Sequence, residues 1–107
     1  MFRRKAIMKA IDTSDFHKLP NFIHQLRTHS MYQPVVEDLI SRPGFIQKEY
    51  SLIDTKQGQT FYSIICFENK ESFDVYFNDE VNQSLWIALE LMATQEDITL
   101  ELVDEEI

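Results

Sequence analysis

The sequence predicts a single α+β domain with the element order β-α-β-β-α-β, and three observations predict it. Segments near both ends of the chain alternate apolar and polar residues, as half-buried strands do. Two stretches, beginning near Leu19 and near Asn69, repeat apolar residues at the spacing of an amphipathic helix. Between them lie an alternating segment and an apolar run, FYSIICF, separated by a short loop that contains Gly58.

Length and composition agree with one globular domain. The chain has 107 residues, of which 44% are hydrophobic, and thirteen side chains are aromatic. Mass scaling predicts that folding buries about two-thirds of the unfolded surface, enough for a core without disulfides or metals. Only two glycines are present, which argues against a glycine-rich nucleotide loop.

The first strand is predicted over Phe2–Ile11, where apolar residues alternate loosely with Arg and Lys. A turn and helix-cap cluster follows at Thr13–Asp15. A helix then begins at Leu19, and Pro20 suits its first turn, where a missing N–H does no harm. The apolar stripe of this helix is Leu19, Phe22, Ile23 and Leu26.

Pro34 predicts a bend or a break in this helical stretch near Ser30–Gln33. A second apolar group, Val35, Val36, Leu39 and Ile40, continues the stretch beyond it. Arg42-Pro43-Gly44 is a strong helix stop, so the stretch should end there.

The next two strands form a predicted hairpin with its loop at Thr55–Gly58. Phe45–Asp54 alternates, with Phe45, Gln47, Glu49 and Ser51 on one face and Ile46, Lys48, Tyr50 and Leu52 on the other. Phe61–Phe67 is apolar on both faces except at Ser63, which is typical of a central strand covered on two sides.

The second helical stretch should follow Asn69 as its N-cap. Its predicted buried stripe is Phe73, Phe77, Val81, Leu85, Leu89 and Met92, with Tyr76 and Ala88 beside it. Residues Ile98–Val103 alternate and predict the last strand, followed by an acidic tail.

This order is that of the ferredoxin-like fold, a four-stranded antiparallel sheet with two helices on one face. Its usual strand order, 4-1-3-2, places the first strand beside the last. Residues 1–30 carry a net charge of +4 and residues 31–107 a net charge of −12, within a total of −8. The predicted cross-strand ion pairs join Arg3, Arg4, Lys5 or Lys9 to Glu101, Asp104 or Glu105. The alternative, a basic arm that binds nucleic acid, is disfavoured because the acidic body would repel phosphates.

The second face of the central strand predicts a homodimer. Tyr62, Ile64 and Cys66 share this face, and helices on one side of the sheet would leave it open. Such an apolar patch is too large for a monomer, and a two-fold dimer with the sheets face to face would bury it.

Two motifs carry a family resemblance. RPGF at Arg42–Phe45 opens a strand after a helix, and FENKESF at Phe67–Phe73 joins an apolar strand to the second helix. The chain thereby resembles the dimeric α+β barrel superfamily, in particular the antibiotic biosynthesis monooxygenase-like (ABM) domains. The resemblance covers residues 40–104 well and the first helix loosely, and its motifs are structural rather than catalytic.

The resemblance implies a homodimeric barrel with a small-ligand pocket between the sheet and the helices, and some members are cofactor-less oxygenases of polycyclic aromatic compounds. Other members degrade haem with an Asn on the first strand and a Trp and a His on the second helix. Here Tyr76 and Trp86 fall near the Trp and His positions, and residues 1–11 contain no Asn. Haem degradation is therefore not expected, and no cofactor is implied.

The three histidines are His17, His24 and His29. Their gaps of seven and five residues do not suit a shared metal site on a helix, so no metal site is predicted. His24 adjoins the apolar stripe of the first helix and is the candidate catalytic acid–base. The alternative is a solvated side chain at the edge of that stripe.

Tyr50, Tyr62 and Trp86 are the ligand-binding candidates, because polar-tipped aromatic residues often line small-molecule pockets. The alternative for the same residues is the core or the dimer interface. Cys66 is the only cysteine and is interpreted as a buried small hydrophobe rather than a reactive thiolate.

Two functions remain open at this point. The first is a cofactor-less monooxygenase that acts on a small aromatic or hydrophobic molecule. The second is a non-catalytic dimeric module that binds a small hydrophobic ligand or a protein. The single cysteine, the lack of a secretory signal and the lack of a long apolar run predict a soluble cytoplasmic protein.

Overall fold

A computed structural model of the chain describes residues 1–11, 14, 16–55 and 58–107. In chain order its elements are β1 (Phe2–Ala10), α1 (Lys18–Thr28), α2 (Tyr32–Ser41), β2 (Phe45–Thr55), β3 (Gly58–Phe67), α3 (Lys70–Phe77), α4 (Glu80–Gln95) and β4 (Ile98–Glu106). The turn predicted at 13–15, apart from Ser14, and the loop residues 56 and 57 lie outside the described residues.

The four strands form one antiparallel sheet in the order β2-β3-β1-β4, with the helices packed on one face. The predicted ferredoxin-like fold and its strand order are confirmed. The core lies between the sheet and the helices, where Phe2, Met8, Phe22, Leu39 and Phe67 are almost completely buried. No helix within the described ranges is long and apolar enough to cross a membrane.

The first helical stretch is split into α1 and α2, as Pro34 predicted. Helix α1 ends before His29, and the Nδ1 atom of His29 accepts a hydrogen bond of 3.1 Å from the backbone N–H of Met31. Pro34 then lies in the first turn of α2, where its missing N–H leaves no broken helical hydrogen bond. The predicted stripe of α1 is buried at all four positions.

The second helical stretch is also split, which the apolar periodicity did not predict. Asn69 caps α3, as predicted, by accepting from the backbone N–H of Ser72 at 2.9 Å. Asp79 begins a new helix by accepting from the N–H of Val81 at 3.0 Å. The break shifts the buried face of α4, so the predicted burial of Val81 is wrong: it is 51% exposed, and Asn82 is buried in its place.

Strand β2 contains a register shift between Phe45 and Gln47, so the strict alternation predicted there is wrong at its start. The irregularity turns Phe45 toward the helices, where its ring lies 5.9 Å from that of Phe67, while Ile46 is 45% exposed. Lys48 and Tyr50 face the helices as well.

Strands β1 and β4 join the basic and acidic parts of the chain. Arg3 pairs with Glu105 on one face of the sheet, and Arg4 pairs with Asp104 on the other, with Nε 2.7 Å from Oδ1. The predicted cross-strand ion pairs are confirmed for these residues. Strand β4 extends to Glu106, so the acidic segment is part of the sheet.

The side of the sheet away from the helices is called here the open sheet face. Its centre consists of the half-buried side chains of Ile7, Tyr62, Ile64 and Val103, which the strand register places together. Lys5 lies beside them, with its Nζ 5.8 Å from the centre of the Tyr62 ring. The centre of this face is therefore apolar except for Lys5, which the register places between Ile64 and Val103.

Candidate functional site

A cavity of about 70 Å³ lies between the sheet and the helices, within the hydrophobic core. Its lining comes from β1, β2, β3 and all four helices and is mostly aliphatic, as with Met8, Leu26, Val35, Ile65 and Leu89. The split of each helical stretch allows separate short helices to surround one space. The resulting surface favours an apolar ligand.

The cavity wall includes three side chains with polar groups, Tyr76, Trp86 and Ser63. Tyr76 is 2% exposed, and its ring stacks on Phe67 with 5.8 Å between centres. Burial raises the pKa of the Tyr76 hydroxyl to about 12, and Trp86 has a smaller opposite effect. The hydroxyl therefore keeps its proton near neutral pH.

Trp86 lines the cavity from α4 and packs against Phe77, which lies behind the wall. Trp86 is half-buried, and its ring centre lies 5.7 Å from that of Phe77. Phe77 in turn stacks on Phe73, 5.6 Å away, and the guanidinium of Arg4 lies 4.6 Å from the centres of both phenyl rings. Aromatic rings thus pack against Trp86, and part of its side chain remains accessible to solvent.

The cavity opens toward β2, where two cations and two tyrosines form its mouth: Arg27, Tyr32, Lys48 and Tyr50. Lys48 donates from Nζ to Tyr32 Oη at 2.9 Å, and the same nitrogen lies 6.0 Å from the Tyr50 ring centre. The Arg27 guanidinium carbon lies 4.2 Å from the centre of the Tyr50 ring. Tyr50 is 54% exposed, so the mouth faces solvent.

A buried polar network joins α2 to α4 on the helical side of the cavity. Asn82 is completely buried and donates from Nδ2 to Asp38 Oδ2 at 2.8 Å and to the backbone carbonyl of Tyr76 at 2.7 Å. Arg42 donates to Asp38 at 3.0 Å and to Asp79 at 3.2 Å. These contacts fix the orientation of Tyr76, because they hold the turn that follows it.

Of the predicted ligand-binding residues, Tyr50 and Trp86 both line the cavity. Tyr62 lies on the open sheet face, since neighbouring residues of a strand point to opposite sides and Ser63 lines the cavity. The sheet therefore separates Tyr62 from the other two side chains.

The histidine candidate His24 is exposed on α1 and is not among the cavity-lining residues. Its catalytic role stays a prediction. Cys66 is 2% exposed, and burial raises the pKa of its thiol, which agrees with a small buried hydrophobe. Within the described residues, no group of three or more His, Cys, Asp or Glu side chains could hold a metal ion.

Sequence reasoning missed Arg27, Tyr32, Lys48, Ser63 and Tyr76 as members of the site. A signal was present for Lys48, because it lies two residues from Tyr50 on the same strand and therefore shares its face. Arg27 lies in α1 and Tyr32 in α2. How these two helices pack over β2 depends on tertiary contacts. No local pattern brings them to the same place.

The fold is similar to those of several solved structures. A putative antibiotic biosynthesis monooxygenase from Deinococcus radiodurans has a TM-score of 0.64 at 16% identity, covering 100% of this chain and 92% of its own. SnoaB, a cofactor-independent oxygenase from Streptomyces nogalater, has a TM-score of 0.60 at 11% identity, covering 99% and 91%. A dimeric ferredoxin-like protein from an uncultured marine organism has a TM-score of 0.55 at 15% identity, covering 97% and 89%.

At the level of sequence, no family model and no curated protein matches this chain. The likeness is therefore one of fold. The predicted resemblance to ABM structures is confirmed at that level.

Proposed function

We propose that two copies of this chain form a homodimer, that each copy binds a small apolar or aromatic molecule in its cavity, and that the protein oxidises this molecule as an ABM-type monooxygenase without a cofactor. One observation carries the proposal: an apolar cavity between sheet and helices is lined by the buried Tyr76. The shared fold with a cofactor-independent oxygenase supports it. The free, buried Cys66 supports a cytoplasmic location.

The size of the cavity limits how a ligand binds. Its 70 Å³ is less than the roughly 300 Å³ at the lower end of small-molecule sites. A ligand of ordinary size must therefore extend into the mouth or displace part of the wall. Because Trp86 is half-buried at that wall, we expect its indole ring to change environment when a ligand binds.

The proposed reaction uses the substrate itself as the reductant. A methylene group of an electron-rich aromatic substrate loses two hydrogen atoms, which leave in water with one oxygen atom of O₂. The other oxygen atom becomes the carbonyl oxygen of the product. Since its pKa is raised to about 12, the Tyr76 hydroxyl acts as a hydrogen-bond donor to a substrate oxygen and not as a base.

Oxygen uptake with tricyclic phenols that contain a central methylene, in the absence of any added cofactor, tests the proposal. We expect uptake with one labelled oxygen atom in the product. Tyr76→Phe should reduce uptake several-fold, whereas Tyr62→Phe, on the other side of the sheet, should leave it unchanged. Uptake that is equal in the two variants would contradict the role of the cavity. His24→Gln in the same assay decides whether His24 takes part.

The second candidate function is a non-catalytic dimeric module that binds the same class of ligand. One observation favours it: the cavity-lining side chains of the described residues include neither a histidine nor a carboxylate to accept a proton. Ligands that raise the melting temperature without oxygen uptake would support this function over the first.

A further inference from the structure

The cations at the mouth of the cavity, like Lys5 and Lys9 of β1, have no ion-pair partner among the described residues. Five cationic side chains lie within 4.0 Å of a carboxylate, namely Arg3, Arg4, Lys18, Arg42 and Lys70. In the described part of the chain, Arg27 and Lys48 have no carboxylate within this distance, although the whole chain has a net charge of −8. Two uncompensated positive charges thus lie next to an apolar cavity.

Aromatic side chains hold these two cations in place. Both lie within 6.0 Å of the centre of one ring, that of Tyr50. Lys48 uses one N–H on Tyr32 Oη, at 2.9 Å, which leaves two of the three donors of its ammonium. The guanidinium carbon of Arg27 lies over the Tyr50 ring, 4.2 Å from its centre, which is within the range of a cation–π interaction.

We propose that the ligand of this cavity is an amphipathic anion, whose apolar or aromatic body enters the cavity and whose carboxylate or phenolate oxygen binds Lys48 and Arg27 at the mouth. The inference rests on the proposed function, because it concerns the same cavity. Hydrogen bonds between charged groups are about twice as strong as neutral ones, and the apolar wall reduces the screening by water. A neutral ligand of the same shape gains the apolar contact only.

A matched pair of probes tests this inference with the full chain: cinnamate, which is anionic, and cinnamyl alcohol, its neutral counterpart. The indole N–H resonance of Trp86, the only tryptophan, reports binding at the cavity wall during a titration. We expect cinnamate to bind with a Kd about tenfold lower than that of the alcohol. Added salt should weaken the binding of cinnamate and leave that of the alcohol unchanged.

Lys48→Met removes the charge and keeps most of the length of the side chain. Arg27→Met, at an exposed position of α1, removes the second charge with a shorter side chain. Each should raise the Kd for cinnamate by about threefold, so that the two together account for the tenfold difference between the probes, with no change for the alcohol. Lys70→Met, at an exposed ion pair with Asp74, is the control and should change neither.

The outcomes distinguish this inference from the proposed function. If the alcohol binds as tightly as cinnamate, or if Lys48→Met weakens both probes equally, the anionic ligand is refuted and the apolar cavity stands. If neither probe moves the Trp86 resonance, both the cavity as a binding site and the inference are refuted.

Discussion

Asn82, a completely buried residue of α4, donates a hydrogen bond of 2.8 Å to the carboxylate of Asp38 in α2. The same amide nitrogen donates to the carbonyl of Tyr76 at 2.7 Å. One side chain of α4 therefore contacts both α2 and the end of α3, at the carbonyl of the cavity residue Tyr76.

Replacing this side chain should destabilise the protein. Asn82→Ala removes one of the donors to the Tyr76 carbonyl, which keeps the N–H of Asp79, and one of the donors to the Asp38 carboxylate, which keeps Arg42. A lost partner of a buried acceptor costs about 1–3 kcal/mol. We expect the free energy of unfolding, measured in urea, to fall by about 2 kcal/mol. Gln83→Ala, at the next and partly exposed position, is the control and should change it by less than about 0.5 kcal/mol. Equal effects of the two variants would refute the importance of this contact.

Three carboxylates make stability dependent on pH. Hydrogen bonds from Arg4 and Arg3 lower the pKa of Asp104 and Glu105. Burial raises the pKa of Asp38, but the bonds from Asn82 and Arg42 outweigh it and the net shift is downward. Because each pKa is lower in the folded state, the unfolded state binds more protons in acid. Stability should be fully present above the ordinary pKa values, 4.5 for glutamate and 3.8 for aspartate, and it should be lost as the pH falls through the lower pKa values of the folded state.

Urea unfolding at a series of pH values measures this dependence. In Asp104→Asn the decline below pH 3.8 should be shallower than in the parent protein, because one of the three carboxylates is gone. Asp54→Asn changes an exposed carboxylate outside these ion pairs and serves as the control. A variant profile parallel to that of the parent would show that the Arg4–Asp104 pair has no part in acid unfolding.

Gly44 is required by both its backbone and its surroundings. Its φ is +84°, and a Cβ atom built there would lie 2.7 Å from Ser72 Oγ and 2.8 Å from Ser72 Cβ. We expect Gly44→Ala to lower the free energy of unfolding by about 2 kcal/mol. The double variant Gly44→Ala/Ser72→Gly removes the clash and keeps the unfavourable φ, so it should recover part of the loss relative to Ser72→Gly alone. An unchanged midpoint of urea unfolding in Gly44→Ala would contradict the close approach of Ser72 to Gly44.

The open sheet face should carry the dimer contact. Ile64→Arg puts a long charged side chain at its centre, where a partner sheet would have to bury it together with the opposite Glu49 at a high desolvation cost, so the variant should be monomeric. Light scattering at micromolar concentration should give two chain masses for the parent protein and one for Ile64→Arg. Ile87→Arg, at a 64% exposed position on α4, should remain dimeric. A parent protein with one chain mass would refute the homodimer.

Local signals in the sequence were sufficient for most of the fold. Pro34 predicts the break in the first helical stretch, because its missing N–H acts within one helical turn. Asn69 predicts the start of the second stretch, because an N-cap also acts within one turn. The break at Asp79 was not predicted, since the apolar spacing continues across it and an Asp inside a helix looks the same as an Asp that caps one. The irregularity at Phe45 depends on contact with Phe67, which is distant in sequence.

The candidate site was less predictable than the fold. Tyr50 and Trp86 were predicted because large polar-tipped aromatic residues are typical of pockets; both line the cavity, and their role in binding stays a prediction. Tyr62 was grouped with them although the alternation of β3 already separates it from Ser63. The hydrogen bond between Lys48 and Tyr32 could not be predicted from the sequence, because it depends on how α2 packs across β2.

The alternation of β3 has a consequence for how this protein can change over evolutionary time. Ser63 and Ile65 line the cavity, while Tyr62 and Ile64 belong to the open sheet face. Under the proposed function, point substitutions can therefore alter ligand preference and self-association independently, although the residues involved are adjacent. Loss or gain of one residue within β3 would exchange the two sets of side chains, and both properties would be lost together.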